Sequence, residues 1–484
     1  MPAPDDIYSR DVDFTSLALQ YPDFAKKLKL NRQLDFSDPE SVRQLTKALL
    51  HRDFDLVIDL PEDRLCPPVP NRFNYILFIQ RLLDTTAPNF HQGFDPDRQV
   101  IGLDIGTGSS AIYPLLACRQ RSKWLFLCTE IDDKNQKFAR KNIAANKLQS
   151  RIRQIDTDKT GRKLIPTDEL ERFDRIDILM TNPPFYESEG SMVESSRLKS
   201  RPANSSCTGS PVEMITPGGE VAFVTKLIDE SGDPKSRSRI QWSSAMLGKL
   251  SSVGSVVDHL RSRSCTNHAV AEFVQGQKTR RWCVAWSWSG LRPSNSVARG
   301  GFGSGGGVGG VEKKYLPPPT EVQVDLPSHD PVDVETRINT EISRLRQDGG
   351  VMWKYNPARK VGMLMSKEGD VWSRKARRKK LHDRMDENQD QEMKDVCTTT
   401  PADGASDVED DSNDDDEDED ETPEPALVVR ICLSTTSSSS SSPEHHSPTK
   451  KITSTNLHIR HLQGSDSVLF ESFCGWVKRK VQAS

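Results

Sequence analysis

VIGLDIGTGSSAIYPLLA, residues 100–117, contains the turn on which the fold depends. The apolar run Val100 to Ile105 reads as a strand, Gly106-Thr107-Gly108 as a tight turn, and the stretch from near Ser110 as a helix. Glycines let the backbone turn sharply and approach a ligand closely, because no Cβ stands in the way. The third glycine of the fingerprint G-x-G-x-x-G is replaced by Ala111. Alone, this loop suits many Rossmann-like proteins, and also a plain turn. Glu130 closes the next apolar run, WLFLCTE (124–130). In a doubly wound sheet an acid at that place accepts ribose hydroxyls. Asp104 and Glu130 therefore indicate a nucleoside-containing cofactor, without choosing between NAD and S-adenosylmethionine.

Working outward, RIRQI (151–155), RIDILMTNPP (175–184), GGEVAFV (218–224) and RRWCVAWSW (280–288) read as further strands. Residues 132–147 and 219–230 carry helical periodicity. This alternation predicts a parallel or mixed sheet covered by helices. Residues 12–85 look mainly helical: Asp38 caps before Pro39, and Val42, Leu45 and Leu49 then share a face. The division expected is a helical extension (1–85), an α/β domain (86–290) and a Gly-rich linker (291–312) containing GGFGSGGGVGG. Beyond it, EVQVDL (321–326), VGMLMS (361–366), ALVVRICLS (426–434) and TNLHIRHLQ (455–463) read as strands, with helices over 332–346 and 468–480. Residues 313–382 and 425–482 are read as the two halves of one small α+β region. An acidic insert (383–424), too poor in apolar residues to order itself, separates them, and a serine tract (437–442) interrupts the second half.

The chain has 484 residues, only 35% of them apolar, with 30 prolines and 29 glycines. No apolar run approaches the roughly 20 residues that span a bilayer. The opening MPAPDDIYSRD resembles neither a secretory signal nor a transit peptide. The expectation is a soluble intracellular protein with no membrane partner. Nine scattered cysteines, with no C-x-x-C, argue against a zinc site or a disulfide framework, and no metal is expected. Residues 403–424 hold fourteen Asp or Glu and no Lys or Arg, so setting them aside turns a net charge of −4 into +10. A basic body suits a nucleic-acid partner, since phosphates reward accumulated Lys and Arg.

The chemistry is chosen by Asn182-Pro183-Pro184-Phe185, directly after the strand RIDILMT (175–181). Two prolines fix φ and remove two N–H donors, leaving carbonyls to face the site. The Asn side-chain carbonyl and a proline carbonyl together can accept both hydrogens of a planar amine. Phe185 offers a ring for a base to stack on. An adenine amino group is a poor nucleophile because its lone pair is delocalised. Two acceptors orient it and stabilise the positive charge that develops on nitrogen. The target base must leave its stack to reach such a pocket, which favours a loop, a bulge or a single strand.

VIGLDIGTGSSAIYPLLA (100–117), LCTEIDD (127–133) and MTNPPF (180–185) together resemble the N6-adenine methyltransferases that act on U6 small nuclear RNA, whose bacterial relatives modify large-subunit ribosomal RNA. The likeness extends through YPDF (21–24), DPESVRQLT (38–46), VPNRFNYI (69–76), WSSAMLGK (242–249) and FVQGQKTRRWCVAWS (273–287). It implies an α/β, Rossmann-like class I methyltransferase domain at 86–290, with the N-terminal helical extension and the small C-terminal α+β accessory region, interrupted by disorder. The implied cofactor is S-adenosyl-L-methionine and the implied partner RNA: U6 small nuclear RNA, and messenger RNA hairpins as further candidates. Arg72 matches the family's cofactor-contacting arginine. Gly106 and Glu130 match cofactor positions, as does Thr160 across a one-residue length difference. Asp104, Thr107 and Gly108 complete the loop. Asn182 is shared by cofactor and target amine, and Pro183, Pro184 and Phe185 complete the catalytic motif. Relatives often begin with a basic arm, whereas this chain begins Pro4-Asp5-Asp6 with Arg10 alone.

Basic clusters supply candidate RNA contacts: Arg197, Lys199 and Arg201 after the motif, Lys278, Arg280 and Arg281 before Trp282, and Lys235, Arg237 and Arg239 before Trp242. They are expected to surround one pocket. The run from Arg374, Lys375, Arg377 and Arg378 to Lys380 suits phosphate binding, a nuclear localisation signal, or both. The expected location is the nucleus, with the cytoplasm as a second compartment. A guanine-N2 or other exocyclic-amine methyltransferase, and a non-catalytic RNA-binding protein retaining the fold, are the alternatives. An NAD-dependent oxidoreductase would need hydride-transfer residues that the sequence does not display.

Overall fold

The computed structural model describes residues 7–8, 10–197, 209–275, 279–302, 310–327, 329–347, 350–376, 378–379, 424–438 and 452–482. The chain divides into two units, 1–319 and 320–484.

In the first unit, β1 (Val100–Ile105), β2 (Trp124–Thr129), β3 (Ile152–Gln154), β4 (Ile176–Thr181), β5 (Ile240–Leu247), β6 (Asn267–Gln275), β7 (Thr279–Ser287) and β8 (Gly301–Phe302) form one sheet in the order β3-β2-β1-β4-β5-β7-β6-β8. Strands β3 to β5 in that order run parallel, and β7 lies antiparallel to both neighbours. Strand β4 is buried at every position, as its unbroken apolar reading requires of a strand covered on both faces. Helices 39–54, 69–85 and 112–120 pack on one face through Phe73, Ile76 and Leu116. Helices 219–232 and 250–262 pack on the other through Val224, Leu227 and Val256. The strand order reverses between β1 and β4, which opens a crevice at their carboxyl ends.

Two expectations need revision. GGEVAFV is not a strand, because it enters the helix Gly219–Gly232. Gly218 and Gly219 take φ of 73° and 66°, turning the chain into the helix, and Val224, Leu227 and Ile228 form its buried stripe. The stretch expected as linker is partly packed. Val297 and Ala298 are buried and Gly301 and Phe302 pair with β6, while Tyr315 and Leu316, in the stretch expected to open the C-terminal region, lie against the first unit's core under helix 250–262. Strand β5 went unread because Gln241, Ser243 and Ser244 break its apolar run. Burial is tolerated where these groups find partners: Gln241 Nε2 donates to the Thr86 carbonyl (2.7 Å) and Ser244 Oγ to that of Leu179 (3.1 Å).

In the second unit, β9 (Glu321–Pro327), β10 (Val351–Asn356), β11 (Val361–Ser366), β12 (Leu427–Ser438) and β13 (Ile452–Gln463) form an antiparallel sheet in the order β10-β11-β12-β13-β9. Strands β11 and β12, on either side of the expected insert, pair directly. Helices 331–347 and 467–482 cover the sheet through Ile338, Ile342, Phe470 and Phe473. Apart from Glu424, the expected acidic insert lies outside the described residues. Among the described residues no helix is long and apolar enough to cross a membrane, and no group of His, Cys, Asp and Glu is placed to hold a metal ion.

Candidate active site

The site is built from the carboxyl ends of β1, β2 and β4. Gly106 and Gly108 take φ of 73° and 66°, conformations that cost an L-residue strain. Ala111, at the third fingerprint position, also takes a left-handed φ of 50°, and the helix Ile112–Gln120 starts there. The Glu130 carboxylate accepts the N–H groups of Gly108 (2.8 Å), Ile131 (2.9 Å) and Asp132 (3.0 Å), tying the glycine loop to the end of β2. Burial still raises its pKa above the ordinary value. Burial pushes the Asp104 carboxyl up to about 7, offset in part by the neighbouring Thr107 hydroxyl.

At the end of β4 the Thr181 hydroxyl donates to the Ile105 carbonyl (2.9 Å), locking β4 against β1 just before the motif. Asn182 follows with its side-chain carbonyl oxygen buried and unpartnered. A buried acceptor of that kind costs free energy unless something donates to it. Phe185 lies on the far side of the motif, beside Gly248 and Arg281. The Arg281 guanidinium is 5.8 Å from the ring centre. A Cβ at Gly248 would stand 3.0 Å from Phe185 Cδ1. Glu220 holds this turn, accepting from Gly248 N–H (2.7 Å), Lys249 N–H (3.2 Å) and the Ser252 hydroxyl (2.6 Å).

A cavity of about 580 Å³ brings together Arg72, Gly106, Thr107, Gly108, Glu130, Thr160, Asn182, Pro183 and Pro184. That volume suits a small-molecule cofactor. Arg72 donates from Nη1 to the Tyr113 hydroxyl and to Met246 Sδ (3.4 Å), while its Nε is buried without a partner. The Thr160 hydroxyl donates to Asp158 (2.6 Å). The unpartnered acceptor at Asn182, together with an unpartnered arginine donor at Arg72, fits a ligand carrying nucleoside, amino and carboxylate groups. Sequence reading missed Thr157, Asp158 and Glu213 on the cavity wall. Glu213 reaches it from the chain returning after the catalytic motif, where the capping-box pattern Ser210-Pro211-Val212-Glu213 could have marked it.

The sequence profile of a family described as RNA methyltransferase matches residues 3–290. The U6 small nuclear RNA (adenine-(43)-N(6))-methyltransferase of Schizosaccharomyces pombe is 38% identical over 349 residues, 72% of this chain and 83% of that protein. The chain belongs to the RNA methyltransferase family. Human RNA N(6)-adenosine-methyltransferase METTL16 is 39% identical over 284 residues, which cover 57% of this methyltransferase and 48% of the human protein. The human METTL16 catalytic domain, solved in complex with a MAT2A 3′UTR hairpin, matches with a TM-score of 0.51 and 36% identity, over 58% of this chain and 94% of that one.

The basic residues of the methyltransferase do not all gather at the cavity. Because β7 runs antiparallel to β5, Arg280 and Arg281 at its start lie on the same sheet edge as Asn182. Arg280 pairs with Glu272 (2.6 Å), whereas Arg281 turns toward Phe185, and burial followed by the charge of Arg72 lowers its pKa. Lys235, Arg237 and Arg239 precede β5 and so sit at the opposite edge, contrary to the single surround expected. There Lys235 pairs with Glu171 (2.8 Å), Arg239 donates to the Phe173 carbonyl (2.7 Å), and Arg237 lies over Trp288. Arg197 ends the helix Glu189–Arg197. Arg374, Lys375 and Arg378 are exposed in the second unit. Lys199, Arg201, Lys278 and Arg377 lie outside the described residues.

Proposed function

We propose that this protein transfers a methyl group from S-adenosyl-L-methionine to the N6 amine of an adenine in structured RNA, with U6 small nuclear RNA as the first expected substrate and messenger RNA hairpins as further candidates. The observation that carries the reading is the buried, unpartnered Asn182 carbonyl oxygen on the wall of the cavity, with Phe185 close behind it in the chain. The activities named for the fission yeast and human relatives support adenine as the base.

Arg72, Gly106, Thr107, Gly108, Glu130 and Thr160 are the groups that would hold the cofactor, with Asp104 beneath the glycine loop. When bound, the cofactor supplies an electrophilic methyl group on a sulfonium. Asn182 and the adjacent proline carbonyl accept the two amine hydrogens, fix the direction of the nitrogen lone pair and stabilise charge as it develops there. Phe185 stacks on the unstacked base, and Arg281 packs on Phe185. The methylated amine is strongly acidic before it loses its extra proton, so no buried base is required of the protein.

Methylation of short structured RNAs carrying a U6-like ACAGAG loop, against scrambled controls, tests this reading. Mass analysis of the nucleosides should give N6-methyladenosine. N2-methylguanosine would overturn the choice of base, and no transfer to any RNA would overturn the activity. A nuclear location, with the cytoplasm second, belongs to the same proposal and is supported by the basic run 374–380. Alanine replacement of that run should redistribute the protein to the cytoplasm under the microscope.

A further inference from the structure

After Phe185 the chain makes a long excursion and comes back to the motif. Tyr186 N–H donates to the Met214 carbonyl (3.0 Å), and Thr216 N–H donates to the Tyr186 carbonyl (2.9 Å), forming a parallel bridge between Tyr186 and Ile215. The returning strand thus rests against the residue next to Phe185. Glu213 is what holds it there. Its Oε2 accepts three hydrogen bonds, from Leu65 N–H (3.0 Å), Ser210 N–H (2.9 Å) and the Ser210 hydroxyl (3.1 Å). Its Oε1 accepts from Asn135 Nδ2 (3.4 Å) and stands 4.0 Å from where a Cβ on Gly108 would be. Asn135 in turn accepts from Arg64 Nε (2.9 Å), and Arg64 pairs with Asp132 (3.1 Å), whose N–H is held by Glu130 (3.0 Å).

We propose that Glu213 is a positioning residue that couples the cofactor cavity to the base-stacking end of the site. Its carboxylate lies on the cavity wall and also fixes the segment that braces Tyr186. Filling the cavity therefore stiffens the seat of Phe185, and a base on Phe185 stiffens the cavity wall. Such a linkage is reciprocal: each ligand raises the affinity for the other by one common factor. The inference rests on the function proposed above.

The test uses the full chain, S-adenosylhomocysteine and a hairpin RNA substrate, with each affinity measured in the absence and at saturation of the other. In the wild type the coupling factor should be at least about fivefold in both directions. In Glu213→Ala it should fall to about one, with kcat falling as well. Glu213→Gln, which can turn its single carbonyl toward Leu65 and Ser210, should restore most of the factor. If Glu213→Ala does not fold, Glu213→Asp, one methylene short of those donors, should show the same loss. A wild-type factor near one, an unchanged factor in the alanine or aspartate variant, or no rescue by glutamine would overturn the proposal. Failure of S-adenosylhomocysteine to bind the wild type at all would instead overturn the cofactor reading.

Discussion

Arg281 lies over Phe185, its guanidinium 5.8 Å from the ring centre, although β5, β6 and several helices separate the two residues in the chain. Contacts of this kind contribute about 0.5–2 kcal/mol. Arg281→Ala should raise the KM for RNA by a corresponding factor and leave the KM for S-adenosylmethionine nearly unchanged. Arg281→Lys keeps the charge but not the plane and should fall between. Steady-state titration of each substrate separates these outcomes, and equal increases in both KM values would contradict the assignment.

Gly248 leaves little room for a side chain. An added Cβ would stand 3.0 Å from Phe185 Cδ1 and 3.2 Å from Glu220 Oε2. Gly248→Ala should therefore displace the ring, weaken RNA use and cost about 1–3 kcal/mol of stability through overpacking. In a Phe185→Ala background the stability cost should shrink. Chemical denaturation of the two single variants and the double variant checks this, and strict additivity would rule out the contact.

Asn182→Ala removes one amine acceptor. The expected loss is about 2.7–4 kcal/mol of transition-state stabilisation, read as a fall in kcat with both substrates saturating. Single-turnover rates give the chemical step directly. Near-normal turnover would remove Asn182 from the mechanism.

Asp104 makes the stability of the ligand-free protein depend on pH. Burial pushes its carboxyl up to about 7, against about 3.9 for an unperturbed aspartate. With the folded pKa above the unfolded one, this contribution is complete below about pH 4 and is lost as pH rises toward 7. The wild type should lose stability relative to Asp104→Asn across that window, by up to about 1.4 kcal/mol per pH unit. Denaturation midpoints of the two proteins that run parallel across the window would refute the shift.

Much of the catalytic half was legible because its signals are local. The glycine loop, Glu130 and Asn182-Pro183-Pro184-Phe185 each lie at the end of an apolar run, and the alternation of strand and helix supplied the sheet. What escaped depends on distant partners. Strand β5 carries buried serines and a glutamine, with Thr86 partnering Gln241 and with Leu179 and Tyr75 partnering Ser244. Glu213 is held by Leu65 as well as by its neighbour Ser210, and Glu220 by the Gly248 turn, so that each relies on a partner distant in sequence. GGEVAFV is rich in strand-forming residues, yet two glycines at positive φ start a helix there. Lys235, Arg237 and Arg239 looked like their counterparts near the pocket, but the direction of β5 puts them at the other edge.

Ser366 and Leu427 stand opposite each other across the β11–β12 pair, with the whole of 367–426 strung between them. Trp372 is packed on Phe473, so the start of that stretch belongs to the core (ring centroids 5.0 Å apart). The Ser366–Leu427 pairing requires the chain between them to return to the same place, and doubling a loop's length costs only about 0.6 kcal/mol. Chain length added between them should therefore leave Ser366 opposite Leu427.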